Sequence, residues 1–446
     1  MSRLRLTALL VALAACIGCS AAQVVNEPLE QFEPDHGYRV SNHEAHRSEG
    51  RVDLALTLSG GGTRAAALAY GVMQELRATT IEVDGRRVKL LDEVDVISSV
   101  SGGSFVAAYY GLYGDTLFED FEEAFLRRNI DAHLGISLVR PFVALRMILT
   151  PYTRSDYAAA VYDKYIFQGA TYADLSAHGP LVRINATDLA SGDPFAFVQP
   201  HFDRICSDLS ELEVSRAVLA SSSVPVIFTP SVYRNFAGTC GYVTPPWLGE
   251  VLTDAAASRR RKRLASSAAA YLSPDAKPYI YLVDGGISDN LGVRGLLDDI
   301  IAQGGLGGYA REQDIDISNE ALIIVVNAAA IGEQDYETKL GVPSLSAVLN
   351  SVSGAGMYRY NFETVELLRH EMREWAADNP AGRTGAGGHV VEVAFEDLKD
   401  EKEREYFETI PTSLSLDDET VDRLIEVGRR LLRESPDFKA FLKGYR

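Results

Sequence analysis

The chain predicts an α/β fold with a mostly parallel central sheet, on three observations. Strand-turn-helix units follow one another over 52–76 and 94–113, apolar strand-like runs recur at 181–186, 279–283, 322–326 and 390–394, and three turns rich in glycine or serine stand at the ends of such runs. Strands that alternate with helices pair in parallel, because a parallel return needs a long crossover. The three turns then share the carboxyl edge of one sheet, where open α/β sheets hold ligands.

The first unit opens with Val52, Leu54, Leu56 and Leu58 alternating with Asp53, Ala55 and Thr57, a half-buried strand. Ser59-Gly60-Gly61-Gly62-Thr63-Arg64 breaks it, and 65–76 continues as a helix. The second runs from a strand at 94–99 through Ser99-Val100-Ser101-Gly102-Gly103 into a helix at 105–113, and Asp284-Gly285-Gly286 closes the run at 279–283. Near the end, Asp417 caps a helix whose Val421, Leu424, Ile425, Gly428, Leu431 and Leu432 share one face, with Arg429, Arg430 and Arg433 in its last turns. That helix is expected to pack, not to react.

With 446 residues, 46% of them hydrophobic, the chain can bury a large core in one big domain or two. A net charge of -19 argues against a nucleic-acid partner and against simple electrostatic adsorption to anionic lipid. At the start, Arg3 and Arg5 precede an apolar stretch at 6–17, too short to span a bilayer and suited to export. Cys16-Ile17-Gly18-Cys19 resembles a bacterial lipobox, although Cys16 stands where leucine is usual. The expected organisation is a lipoprotein signal over 1–18, a lipid on Cys19, a polar tether over 19–50 and a folded domain over 51–446. Ser20 after the lipid site favours an outer-membrane lipoprotein facing the periplasm; the rival is ordinary cleavage after Ser20-Ala21-Ala22, giving a periplasmic or secreted protein. Beyond the signal only Cys206 and Cys240 remain, either a disulfide or two buried thiols. They do not resemble a zinc site, and no metal, cofactor or oligomeric state is assigned.

Three segments carry chemistry. A serine on a sharp strand-to-helix turn has its hydroxyl pushed out of the sheet edge, and Ser101 fits, with Ser99 in place of the usual first glycine. Gly60, Gly61 and Gly62 offer backbone N–H groups before a helix N-terminus, the components of an oxyanion hole. Arg64 is expected to brace that loop or to face a phosphate headgroup. Gly60-x-Gly62-x-x-Ala65 also matches a variant dinucleotide fingerprint, but 79–90 is rich in charge and lacks the second apolar strand with its ribose-binding acid. A P-loop is weaker, since no Gly-Lys-Ser or Gly-Lys-Thr follows. For a base, His370 and His389 lack a site context, whereas Asp284 ends a strand before two glycines. A free aspartate is a poor base, so this role requires a desolvated, tuned site.

Taken together, these residues resemble the patatin-like phospholipases, lipid acyl hydrolases with a Ser-Asp dyad. Asn185-Ala186-Thr187-Asp188-Leu189-Ala190-Ser191-Gly192 and the segment Ala220-Ser221-Ser222-Ser223-Val224-Pro225 through Phe228 and Pro230 match further family segments in order. The resemblance covers about 51–295 and implies a three-layer α/β/α sandwich, with Gly60 to Gly62 as oxyanion hole, Ser101 as acylated nucleophile and Asp284 as its activator. Two departures stand: Ser99, and a stretch over 235–278 longer than the family core requires. The Gly-Gly-Ser after the nucleophile is similar to related cytosolic and fungal phospholipases.

The implied substrate is a phospholipid or lysophospholipid ester, cleaved without metal or cofactor, and the lipid anchor supplies the membrane contact. The alternative is an envelope lipoprotein that binds lipid and turns over nothing. The apolar run at 136–150 reads as a core helix, with a lid or membrane-docking element as rival. The basic run Ser258-Arg259-Arg260-Arg261-Lys262-Arg263 reads either as a headgroup contact or as a solvated patch neutralising local acid.

Overall fold

The computed structural model describes residues 23–43, 52–83, 85–135, 149–175, 179–225, 227–315, 320–330, 345–378 and 387–445, with Val143, Arg146, Met147, Ile317 and Val342 between them. The expected signal, Cys19 and most of 136–150 lie outside the described residues. Of that last run, Arg146, Leu149 and Thr150 are exposed, so its described end is not core.

Among the described residues eight strands make the central sheet: β1 Asp53–Leu58, β2 Val94–Val100, β3 Leu181–Asp188, β4 Pro194–Phe197, β5 Ser231–Arg234, β6 Tyr279–Val283, β7 Ala321–Asn327 and β8 Gly388–Ala394. Hydrogen-bonded pairing connects them along the path β8-β7-β1-β2-β3-β6-β5, with β4 also paired to β3. From β8 through β3 every pairing is parallel, while β4, β5 and β6 add antiparallel pairings. The sheet is mostly parallel, as the alternation of strands and helices predicts.

Alternation along β7 shows the layering. Leu322, Ile324 and Val326 join one apolar core, while Ala321 and Val325 face another. Helices α1 Gly62–Ala78, α2 Gly102–Tyr113 and α3 Val214–Ser221 pack on the first face, and α4 Arg294–Ala302 and α5 Leu345–Asp378 on the second. The packing helix, α6 Asp418–Glu434, is capped by Asp417 and buries the predicted stripe against α1. Gly428 permits that crossing, since a Cβ there would fall 2.4 Å from the Leu68 carbonyl oxygen. The result is a three-layer α/β/α sandwich.

The largest departure from expectation is the direction of β6. Val100 of β2 pairs with Asn185 of β3, and Val283 of β6 pairs with Thr187. Asn185 and Thr187 also pair with Ala196 and Pro194 of β4, so β4 holds the other edge of β3. Strands β2 and β6 therefore share one edge of β3 end to end and run toward each other, with Ala186 between their last paired residues. Asp284 does not leave the sheet as a parallel strand would; it arrives from the opposite direction.

The polar tether expected over 19–50 is docked in its described part. Glu27–Pro28 pairs with Ser207–Asp208, and Leu29 packs on the Cys206–Cys240 disulfide. Tyr38 and Val40 enter the main core, where the Tyr38 hydroxyl oxygen accepts the Val182 N–H at 2.7 Å. A few buried apolar residues suffice to hold a segment whose average composition is polar. The long stretch over 235–278 forms two helices, Pro246–Thr253 and Arg259–Ala270, packed on each other. Ser258 caps the second; Arg263 pairs with Asp193 and Arg261 donates to the Ala302 carbonyl, so part of the basic run neutralises local acid. The region over 79–90 is an antiparallel hairpin, Thr80–Val83 with Arg86–Lys89, where a dinucleotide fold needs its second parallel strand.

Candidate active site

Strand β2 ends at Val100, and α2 begins at Gly102, so Ser101 alone makes the turn. Its φ of 48° and ψ of -117° lie in territory that residues with a Cβ avoid. Such strain persists only where neighbours over-determine it, and here they do. The Ser101 N–H donates to Ser221 Oγ at 2.8 Å, and Ser221 Oγ in turn donates to the Asn185 carbonyl at 2.6 Å. Ser221 closes α3, in the segment that the resemblance singles out. Ser99, where the family has glycine, is fully buried and its hydroxyl reaches the Arg183 carbonyl at 3.4 Å, so β3 accommodates the departure.

The head-to-head strands bring the carboxylate in. Ser101 Oγ donates to Asp284 Oδ2 at 3.2 Å across 183 positions of sequence. The Asp284 Oδ1 accepts the Gly286 N–H at 2.8 Å, and its own N–H donates to the Ser223 carbonyl at 3.0 Å. Serines 221 and 223 thus hold the nucleophile and the acid from one helix end. Both site residues are more than nine-tenths buried. Burial pushes the Asp284 carboxyl up to about 6, against the opposing pull of the Gly286 N–H and the Ser101 hydroxyl. That value meets the requirement for a tuned base.

The glycine loop packs directly on the elbow. A Cβ on Gly102 would lie 2.1 Å from the Gly62 carbonyl oxygen and 2.6 Å from its nitrogen, so only glycine lets the loop and helix touch. Gly61 and Gly62, at φ 139° and 61°, hold conformations that a side chain would strain. Their N–H groups make no hydrogen bond among the described residues, which leaves two backbone donors of the loop unused. Gly60 differs from expectation: its N–H donates to the Asn290 carbonyl at 2.9 Å and is not available. Arg64 braces the loop. Its buried guanidinium donates to the Ala328 carbonyl at 3.0 Å, to the Ile410 carbonyl and to Thr412 Oγ1 at 3.2 Å, so it does not face a headgroup.

Neither histidine reaches this centre. His370 is exposed on α5, and His389 sits at the amino edge of the sheet, 3.5 Å from Glu320. Among the described residues no group of three or more His, Cys, Asp or Glu gathers as metal ligands, and no helix is long and apolar enough to cross a membrane. Two residues of the site escape sequence reasoning. Ser221 is one of three consecutive serines with nothing local to distinguish it, and Asn290 lies six residues beyond Asp284, outside any motif.

An α/β/α sandwich with a strained serine elbow, a buried carboxylate on its hydroxyl and an amide-rich glycine loop defines the class of serine acyl hydrolases. The model for the patatin-like phospholipase family, "Patatin-like phospholipase", matches residues 56–297, more than half of the chain. The chain belongs to that family, and at family level it is a lipid acyl hydrolase. No curated protein matches it. Among solved structures it is similar to human GIVD cytosolic phospholipase A2, with 13% identity over 95% of this chain and 68% of that one and a TM-score of 0.44. It is also similar to VipD from Legionella pneumophila, with 12% identity over 89% of this chain and 68% of that one and a TM-score of 0.34.

Proposed function

We propose that the protein hydrolyses the carboxylic esters of phospholipids or lysophospholipids through a Ser101-Asp284 dyad and an acyl-serine intermediate. The observation that carries this reading is the 3.2 Å hydrogen bond from Ser101 Oγ to Asp284 Oδ2. Ionised Asp284 takes the hydroxyl proton as Oγ attacks the ester carbonyl carbon. The carbonyl electron pair moves to oxygen, where the Gly61 and Gly62 N–H groups receive it. Collapse expels the alcohol, which leaves with the proton from Asp284, and Ser101 keeps the acyl group. Water then gives its proton to Asp284 and attacks the acyl-serine, releasing the fatty acid and restoring the hydroxyl. Exposed Val224, Ile227 and Ile287 stand on the turns that flank Ser223 and Asp284, a rim suited to acyl chains.

The experiment is mass spectrometry of products from a mixed phospholipid and lysophospholipid suspension, wild type against Ser101→Ala, with fluorophosphonate labelling in parallel. Fatty acid release and labelling in wild type alone are expected. A folded wild type that binds lipid but is neither labelled nor active would favour the non-catalytic lipoprotein. We further propose that the chain is an envelope lipoprotein held through a lipid on Cys19, supported by Arg3, Arg5 and the apolar run at 6–17 and by a disulfide that suits an oxidising compartment. An intact mass of the membrane-extracted protein that lacks residues 1–18 and carries diacylglycerol and acyl groups is expected; cleavage after Ala22 without lipid would overturn it.

A further inference from the structure

Strands of a parallel sheet are ordinarily covered on both faces, and the first face of this one is. The second is not covered throughout. Val96 of β2, Ala55 of β1 and Ile323 of β7 stand side by side in register, and each is only half-buried, although all three strands lie inside the sheet. They floor a cavity of about 610 Å³, walled by Leu296 and Ile300 of α4, by the helix Leu306–Gln313 and by Leu368, Met372 and Trp375, which share one face of α5 at helical spacing. That volume lies in the range of sites that hold one small ligand. The cavity is remote from the reaction. Val96 precedes Ser101 by five positions, about 16 Å along β2, and the floor lies toward the amino ends of β1 and β7.

The stretches of chain that adjoin this lining in sequence offer no large apolar side chain to fill it: they bring Asp316, Ser318 and Asn319 before β7, and Asn379-Pro380-Ala381-Gly382-Arg383-Thr384-Gly385-Ala386 before β8. Charge marks the mouth. Arg311 and Glu374 are exposed and Glu371 is half-buried; all three line the cavity, and none is engaged in an ion pair among the described residues. Asp53 and Asp95 also line it, and both have partners, Asp95 the Leu54 N–H at 2.8 Å. One positive group beside two negative ones suits a head that carries both signs, whereas a free fatty acid would meet the two glutamates. We propose that this cavity is a second lipid site, which holds the hydrocarbon chain of one zwitterionic single-chain phospholipid with the phosphate at Arg311 and the ammonium group at Glu371 and Glu374. The catalytic centre takes no part, so the site is independent of the acyl-hydrolase reading.

Trp375 reports on the cavity directly. The chain has two tryptophans, and Trp247 packs in a separate apolar cluster, so Trp247→Phe leaves one emitter. Dodecylphosphocholine, which has no ester to hydrolyse, is titrated below its micelle concentration and compared with dodecanoate. Because Trp375 is half-buried, a chain entering the cavity is expected to shift its emission to the blue, saturably and at one ligand per protein. Dodecanoate is expected to bind at least about 10-fold more weakly. Ala55→Leu fills the floor and should abolish the shift. Arg311→Glu should weaken dodecylphosphocholine binding about 10-fold, and because that side chain is exposed it decides the question even where Ala55→Leu does not fold. No saturable shift by about 1 mM, an undiminished shift in folded Ala55→Leu, unchanged affinity in Arg311→Glu, or equal binding of dodecanoate and dodecylphosphocholine would each overturn the proposal.

Discussion

Val100 and Val283 end two strands that face each other along one edge of β3, paired with Asn185 and Thr187 and separated there by Ala186 alone. Ser101 and Asp284 are simply the next residues of each strand. The hydrogen bond between them is therefore a property of the sheet: two chain directions converge on one gap, and the hydrogen-bonded ladder of β3 sets its width.

That gap makes a first prediction. A Cβ on Gly285 would fall 2.4 Å from the Asn185 carbonyl oxygen and 3.0 Å from Val100 Cγ1. Gly285→Ala must push β6 away from β3 and draw Asp284 off Ser101. Turnover of a soluble ester is expected to fall by 100-fold or more, while the sheet still forms, since misplacing a reacting group by about 1 Å costs on that order. Activity within a few-fold of wild type, in a variant with native circular dichroism, would count against the convergence as the source of the dyad.

The raised Asp284 carboxyl ties activity and stability to pH in opposite senses. In the proposed role of base it must be ionised, so kcat/KM is expected to climb as pH rises through about 6 and to level above it. In the folded protein the proton stays on until about 6, against an ordinary value of 3.8. Between those values the folded state binds more protons than the unfolded chain, so this group's contribution to stability falls as pH rises and is fully adverse above 6. Asp284→Asn is expected to be inactive yet more stable than wild type by about 3 kcal/mol above pH 7, the gap closing below pH 4. Denaturant melts at pH 4 and 8 check this.

Ser221 gives a prediction at one remove from the reacting atoms. In Ser221→Ala the buried Ser101 N–H loses its acceptor and the Asn185 carbonyl loses a donor. A stability loss of about 1–3 kcal/mol is expected, together with a fall in kcat as the elbow relaxes. Ser221→Thr keeps the hydroxyl, so it should recover part of the kcat. Equal kcat in the alanine and threonine variants would show that the hydroxyl does not hold the elbow.

Arg64 separates bracing from headgroup binding. Arg64→Ala leaves two carbonyls and a hydroxyl without their buried donor, and a loss of about 2–4 kcal/mol is expected. Arg64→Lys cannot reach three acceptors from one nitrogen and should also destabilise. Because the guanidinium faces protein, KM for zwitterionic and anionic phospholipids should shift alike. A KM change confined to anionic lipid would place Arg64 at the headgroup instead.

Much of this was readable from residues. The alternation at 52–58 and the glycines after it announce β1 and α1, and Ser101 between Val100 and Gly102 announces the elbow. The helices begin at Gly62 and Gly102, earlier than the expected 65 and 105, because glycine argues locally against a helix and only the close contact between those two residues puts it there. The docking of 23–43 was hidden by its acids and prolines, and the bond of Gly60 to Asn290 joins segments with no mutual pattern.

The sequence by itself determined the α/β class, the three turns and the chemical kinds of side chain that they carry, since period, turn residues and functional groups are local properties. It could not determine that β6 runs against β2. An apolar strand pattern has no direction: it reads the same whether the segment pairs parallel or antiparallel, and the choice is made by hydrogen bonds to β3 from segments that lie far apart in the chain. Only that tertiary choice points Asp284 at Ser101 and occupies the Gly60 amide.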